Sequence, residues 1–434
     1  MRNWTSRIAV PGGRRVIAGL TDQVLVAVTS ASLLLVAATV LSRPEAGRML
    51  YAAQIMVFLQ GASRAVIGDV LLTHAARFDD GPARRRQFEN AHATALLLAA
   101  AGVLAVGATL LLAPGWCPSD LLWGLPFIPA ILAQDLARYT YQSLLQQSRA
   151  LAVDVVWVGV QVTGIVVVIA AGRAGGGPLL ACWGSGAAVA AAVFYRRTKI
   201  NPLRGRPVAW LRDTRHLLGW YTATGLLAQT TTLLIGTLVQ GLLSKSAYAG
   251  FRLVQMLVLQ PAQSLAMALN GLLVPRASRL AGAGDVPGLH RQTRAVLAVT
   301  AAVGCAILLA AAGGAGPALA VYKGGGYANV AVIAIPIGLQ TLGYLMQVPF
   351  TVAIRGMQRG RPVFTQYVVH AGTSLGGLVV GAWLWQLPGA AWGLVTGATV
   401  GLLFQGWQYR AITRRLAPAR VTRDAGPGHP AGAA

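Results

Sequence analysis

The sequence predicts an all-α polytopic membrane fold of about twelve transmembrane helices, arranged as two parallel six-helix lobes around a central cavity. Three observations lead there. Of the 434 residues, 55% are hydrophobic and 11% are charged, whereas a soluble domain carries about a quarter charged residues. The apolar residues fall in stretches of about 20, the length a helix needs to cross a bilayer. The basic residues then alternate between successive gaps separating those stretches.

In chain order the predicted spans are 17–41, 47–73, 91–113, 121–145, 150–172, 177–195, 216–242, 247–274, 294–321, 327–354, 362–385 and 389–410. Span 1 follows Arg14 and Arg15 and is too long for the core of a cleavable signal peptide. Span 4 is the least regular, holding Pro126, Pro129, Asp135 and Arg138. Packing against neighbouring helices tolerates both kinds of residue. Spans 8 and 10 contain Pro261, Pro336 and Pro349, each placed to bend its helix. The runs Gly175-Gly176-Gly177 and Gly324-Gly325-Gly326 lie between spans and read as turns. Trp, Tyr and Phe near the span ends form the usual interfacial belt.

The arginines orient this map. Five of the 36 basic residues fall in odd-numbered gaps or at their edges, namely Arg43, Arg48, Arg173, Lys245 and Lys323. Three fall well inside spans, and the other 28 fall in even-numbered gaps, at their edges or in the two tails. A different span count scrambles that alternation. Basic loops stay on the cytoplasmic side, so both termini are expected in the cytoplasm of a bacterial cell, with the body in its cytoplasmic membrane. The same patterning accounts for the net charge of +24 without any nucleic-acid partner.

The longest charged linker lies at mid-chain, with six spans on either side. It carries Pro202, Pro207 and an amphipathic piece, Val208 to Leu218. The expected organisation is an N-terminal lobe (1–200), a basic linker (201–215), a C-terminal lobe (216–412) and a disordered cytoplasmic tail (413–434). The halves repeat weakly. Residues 46–77 and 249–279 both begin Ala-Gly, carry paired glutamines (Gln54 and Gln60; Gln255 and Gln260), and end in two leucines and an arginine-bearing exit. Six spans per half make the repeat parallel, an arrangement of secondary transporters with the substrate between the halves. The outer loops are short and hold no catalytic domain, so no enzyme activity is expected. Cys117, Cys182 and Cys305 match no metal spacing, and His74 and His370 are isolated. No metal, catalytic group or cofactor is expected, and the chain is expected to act as a monomer.

Function is sought in the charges at membrane depth, each costing about 2.5–3.5 kcal/mol at a helix centre. They are Asp22, Arg64, Asp69, Asp135, Arg138, Asp154 and Arg252. Gln60 precedes Arg64 by one turn, and Gln134, Asp135, Arg138 and Gln142 share a face of span 4. Gln255 follows Arg252, and Gln340, Gln347 and Arg355 lie along one side of span 10. These polar stripes suggest a cationic cavity in which Arg64, Arg138, Arg252 and Arg355 hold a phosphate or pyrophosphate by charge-assisted hydrogen bonds. The alternatives are ion pairing of Asp135 with Arg138, and snorkelling of Asp22 and Arg252 to the headgroups. The carboxylates Asp22, Asp69, Asp135 and Asp154 all lie in the first half. If transport is ion-coupled, the ion site belongs there; otherwise they pair with nearby arginines.

Three segments carry a family resemblance: GLTDQVLVAVTSASLLLVAATVLSRPEAGRMLYA in the first two spans, LAQDLARYTYQSLLQQSRALAVDVVW in spans 4 and 5, and AGFRLVQMLVLQPAQSLAMALNGLLVPRASR in span 8. Together the chain resembles oligosaccharide and polysaccharide flippases of the multidrug/oligosaccharidyl-lipid/polysaccharide (MOP) superfamily. The resemblance implies two six-helix lobes that alternate access to a central cavity and move a lipid-linked sugar outward. It also implies cavity arginines on the pyrophosphate, a role whose positions match Arg64 and Arg252. The chain lacks the two additional helices of some relatives, and its first span offers Asp22 with no basic residue beside it. The expected partners are a polyprenyl-pyrophosphate-linked glycan, membrane lipids, and the polymerase and glycosyltransferases of the same pathway. The competing reading is an ion-coupled exporter of a drug or natural product.

Overall fold

A computed structural model describes residues 33, 35–74, 81–113, 118–144, 146–215, 219–321 and 328–416. Nearly all of these are helical and none is in a strand. Most of span 1, including Asp22, lies outside the described residues, as do Cys117 and the tail beyond residue 416.

Span 2 is a helix α1 (Arg43–Ser63), a π-helical turn (Arg64–Gly68) and a short α2 (Asp69–His74). Its start is set by sequence, because the Ser42 backbone N–H and hydroxyl both donate to the Glu45 carboxylate. Span 3 is α3 (Gly81–Leu112). Span 4 breaks into a short α4 (Leu121–Gly124), a 3-10 turn holding Pro126, and α5 (Ile128–Ser143). Spans 5 and 6 are α6 (Gln147–Ala170) and α7 (Gly176–Thr198).

The mid-chain linker is not loose. It forms a short helix α8 (Pro207–Thr214). Trp210 is fully buried, while Val208 and Leu211 are exposed. The Arg206 N–H donates to Asn90 Oδ1 at 2.8 Å, and any side chain at Gly205 would strike the Glu89 carbonyl. The amphipathic segment therefore clamps onto α3 with its tryptophan inward.

The second half holds α9 (Trp220–Leu242), α10 (Lys245–Gly282), α11 (Val286–Val321), α12 (Ala334–Gly356) and α13 (Gly360–Leu416). Ser244 caps α10 by accepting from the Ala247 N–H at 3.0 Å. The serines that open spans 2 and 8 thus occupy equivalent places in the two halves. Pro336 falls in the first turn of α12, where a missing N–H costs nothing. Pro349 lies inside that helix. The helical end of α13 continues through Arg414, Arg415 and Leu416, so the tail starts later than residue 413.

Spans 11 and 12 are the two arms of α13, which reverses at Trp385 and Gln386 (φ 55°, ψ −133°). The arms meet backbone to backbone at Gly377 against Gly393 and at Gly381 against Gly389. Small residues at such crossings let helices approach closely in lipid. Gly393→Val is expected to pry the arms apart and lower stability by about 1–3 kcal/mol. Thermal melting in detergent measures it, and an unchanged melt removes the glycine seam from the account.

The apolar core decides where the two halves meet. One buried cluster runs through the first half and into the second at the end where α10 begins, taking in Tyr51, Tyr248, Phe251, Val330 and Leu394. At the arginine-rich end a separate cluster, with Ala277, Leu289, Val352, Ile354 and Val363, belongs to the second half alone. Among the described residues the buried apolar cores of the lobes are therefore joined at one end and separate at the other, although helices of the two lobes still touch there.

Candidate functional site between the lobes

The seam is built mainly by α1. Any side chain at Gly47 would strike the Lys245 carbonyl, so α1 and α10 touch closely at their starts. The Tyr51 and Tyr248 rings pack edge to face, with centroids 5.9 Å apart. The Tyr51 hydroxyl lies 2.8 Å from the Thr237 hydroxyl of α9. Farther along α1, Gly61 packs against Gln229, and Thr222 donates to the Ala65 carbonyl at 3.0 Å.

Arg252 lies one turn beyond Tyr248 on the same face of α10, which directs it to this seam. It is half-buried. Its Nη1 donates to Gln255 Oε1 at 3.3 Å, and its buried Nε has no hydrogen-bond partner among the described residues. Among the described residues no carboxylate stands within ion-pair distance of it.

Arg64 has a different fate. It opens the π-helical turn, a local rewinding that helices use at functional positions. From there it reaches α5 and grips Asp135 with two hydrogen bonds, Nε to Oδ2 at 2.8 Å and Nη2 to Oδ1 at 2.6 Å. Arg138 Nη1 stands 3.6 Å from the same carboxylate. Arg138 Nε makes an ion pair with Asp154 of α6 at 2.8 Å, and Gln134 Nε2 donates to the other Asp154 oxygen at 2.8 Å. Two arginines and two aspartates thus form one neutral chain across span 2, α5 and α6. Asp135, Arg138, Asp154 and Gln134 are all buried, while about a third of the Arg64 side chain is exposed (32%). Neutralisation within a connected network lowers the cost of placing these charges at membrane depth.

Asp69 directly follows the π-helical turn and is exposed. It lies within electrostatic reach of Arg64 and, across the divide, of Arg355 near the end of α12. Asp69 of the first lobe thus faces a cation of the second. Gln60 is buried on α1 and Gln142 half-buried on α5. Gln347 donates to the Ala398 carbonyl at 3.1 Å and accepts from Gln366 at 2.8 Å, so its amide is occupied between α12 and the arms of α13. Gln340 is buried beside it, with no partner for its Oε1. No group of three metal-ligating side chains occurs among the described residues.

No family model and no curated protein sequence matches this chain. Solved structures do. The inward-facing form of a multidrug resistance MATE family transporter of the MOP superfamily matches with a TM-score of 0.71 and 13% identity, covering 92% of this chain and 98% of the other. The lipid II flippase MurJ, in an inward closed conformation, matches at 0.72 and 12% identity over 93% and 89% of the two chains. A mutant of the Vibrio cholerae MATE transporter VcmN matches at 0.66 and 13% identity over 93% and 96%. The chain has the MOP fold.

Span 2 and its counterpart in the second half, span 8, meet at this seam through Gly47 against Lys245 and Tyr51 against Tyr248. Two polar clusters were invisible in the sequence pattern. His92 is fully buried, with ring nitrogens 2.9 Å from the Tyr195 hydroxyl and 3.1 Å from that of Thr140. In the second lobe Gln366, Gln405 and His370 bond Gln347, Thr351 and the Gly397 carbonyl. Each was a lone polar residue on an apolar span, and only the partner from another helix gives it meaning.

Proposed function

We propose that this protein is a flippase that moves a polyprenyl-pyrophosphate-linked glycan precursor across the cytoplasmic membrane by alternating access of its two lobes. One observation carries the reading, the charge balance of the seam. Asp135 and Asp154 are both occupied by arginines, whereas Arg252 faces the seam with a glutamine for a partner. An anionic headgroup fits such a surface better than a cationic drug does. The guanidinium is suited to phosphate oxygens because its planar fork donates two parallel hydrogen bonds. The lipid tail needs no enclosed pocket, since it can stay in the bilayer while the headgroup crosses between the lobes.

The cycle follows from where the lobes join. Access lies at the arginine-rich end, where the lobe cores are separate. Closing that end brings Asp69 and Arg355 together. Asp69→Arg is therefore expected to stop transport, and Asp69→Arg with Arg355→Asp to restore part of it. A double variant as dead as the single one removes the pair from the closing step.

Asp69 also supports a second reading. Among the described membrane-depth carboxylates it alone is exposed, as an ion-coupled exporter of small molecules requires. Proteoliposomes separate the two. A fluorescent polyprenyl-pyrophosphate sugar should become accessible to a membrane-impermeant quencher only when the protein is present. Efflux of a cationic dye under an ion gradient, with the lipid probe immobile, hands the protein to the exporter class.

A further inference from the structure

A second cationic site lies wholly within the first lobe, away from the seam. The arginine-rich ends of α3, α5, α6 and α7 leave a cavity of about 560 Å³ between them. Four arginines from three separate segments line it: Arg84, Arg85, Arg149 and Arg197. Among the described residues only one is neutralised. Arg85 Nε pairs with Glu89 at 3.2 Å, and its Nη2 donates to the Lys199 carbonyl, which fixes it as a wall of the cavity. Arg149 Nη1 is held by Gln146 Oε1 at 3.0 Å. Arg84 and Arg197 have no ion-pair or hydrogen-bond partner among the described residues. Thr198 adds a hydroxyl, and Phe88, Leu144 and Ile200 supply apolar lining.

We infer that this cavity binds the phosphodiester headgroup of an anionic phospholipid of the cytoplasmic leaflet. Among the described residues Arg84, Arg149 and Arg197 have no carboxylate partner, and three guanidinium groups lining one space favour an anion there. Bidentate donation to phosphate oxygens is the chemistry they share. The apolar lining beside them suits the glycerol and first acyl carbons rather than a fully hydrated ion. The depth also agrees, because basic loops mark the cytoplasmic face and basic pockets between helices at that face take anionic headgroups. The bound lipid ties together the inner ends of four helices, which among the described residues share no ion pair there beyond the Arg85–Glu89 contact.

The test uses the full-length protein in neutral detergent, with melting temperature as readout. Dioleoyl phosphatidylglycerol should raise it saturably, and dioleoyl phosphatidylcholine should not. In Arg84→Gln/Arg197→Gln, half-saturation should weaken roughly thirtyfold, from the loss of two surface cations. Arg85 is left intact because it supports the fold. If the double variant fails to fold, Arg149→Glu, at an exposed position, is read in the same way. A saturable response to inorganic phosphate alone, lost in the same variants, keeps the phosphate site but overturns the lipid as its source. Equal phosphatidylglycerol responses in wild type and variants overturn the site altogether.

Discussion

Asp135→Asn is expected to lower the stability of the protein by about 3–5 kcal/mol, the cost of removing one partner from a buried ion pair. The substitution keeps the shape of the side chain and removes its charge. Arg64 loses both of its hydrogen bonds to a carboxylate, and Arg138 is left with Asp154 alone. The network then holds two cations against one anion in a place where water does not reach Asp154 (0% exposed). Thermal melting in detergent and the folded fraction in the membrane report the loss. Asp135→Asn combined with Arg64→Gln removes both partners of one pair, leaves the Arg138–Asp154 pair intact and should melt above the single variant, a non-additivity expected of residues in one network. A Gln134→Ala control removes one hydrogen bond and should cost about 1 kcal/mol. If Asp135→Asn melts like wild type, the four charges are not a structural unit.

Arg252→Ala is expected to reduce transport of the pyrophosphate lipid about ten- to a hundredfold while leaving the melting temperature near that of wild type. The range is that of one hydrogen-bonded charge contact, about 1.5–3 kcal/mol. The separation of effects distinguishes it from Arg64. Replacing Arg64 breaks the ion network, so transport and stability should fall together. Arg252 is half-buried and, among the described residues, hydrogen-bonded only to Gln255, so little of the described fold depends on it. Arg252→Lys keeps the charge but not the fork and should fall between. Transport assays at matched protein levels measure this, and full activity in Arg252→Ala takes the residue out of the site.

These expectations differ because Arg64 and Arg252 look alike in sequence and are unlike in space. Each is an arginine inside an apolar span with a glutamine nearby. Whether it is a structural cation or a ligand for an anion depends on what the next helix offers. Asp135 is 71 residues from Arg64 and meets it only because the π-helical turn and α5 come together. For Asp154 the pairing question left open by the sequence resolves toward ion pairing, with Arg138 and Gln134 on its two oxygens. Gln347 shows the reverse: a glutamine on a candidate stripe whose amide is taken by neighbouring helices. The arginines of the second cationic cavity carry the same lesson. Arg84, Arg149 and Arg197 read as ordinary cytoplasmic-loop charge until folding gathers them at one space.

Membrane residence and the all-helical, two-lobe class were determined by sequence, because hydrophobic length is a one-dimensional property imposed by the bilayer. The chain also announced its helix starts, at Ser42 and Ser244, through local capping chemistry. The folding of the linker onto α3, the neutral network in the first lobe and the end at which the lobes join were decided only in three dimensions. Each depends on which side chain from a distant helix arrives opposite another. In lipid that choice is made by close packing and charge neutralisation between helices, and neither leaves a periodic trace along the chain.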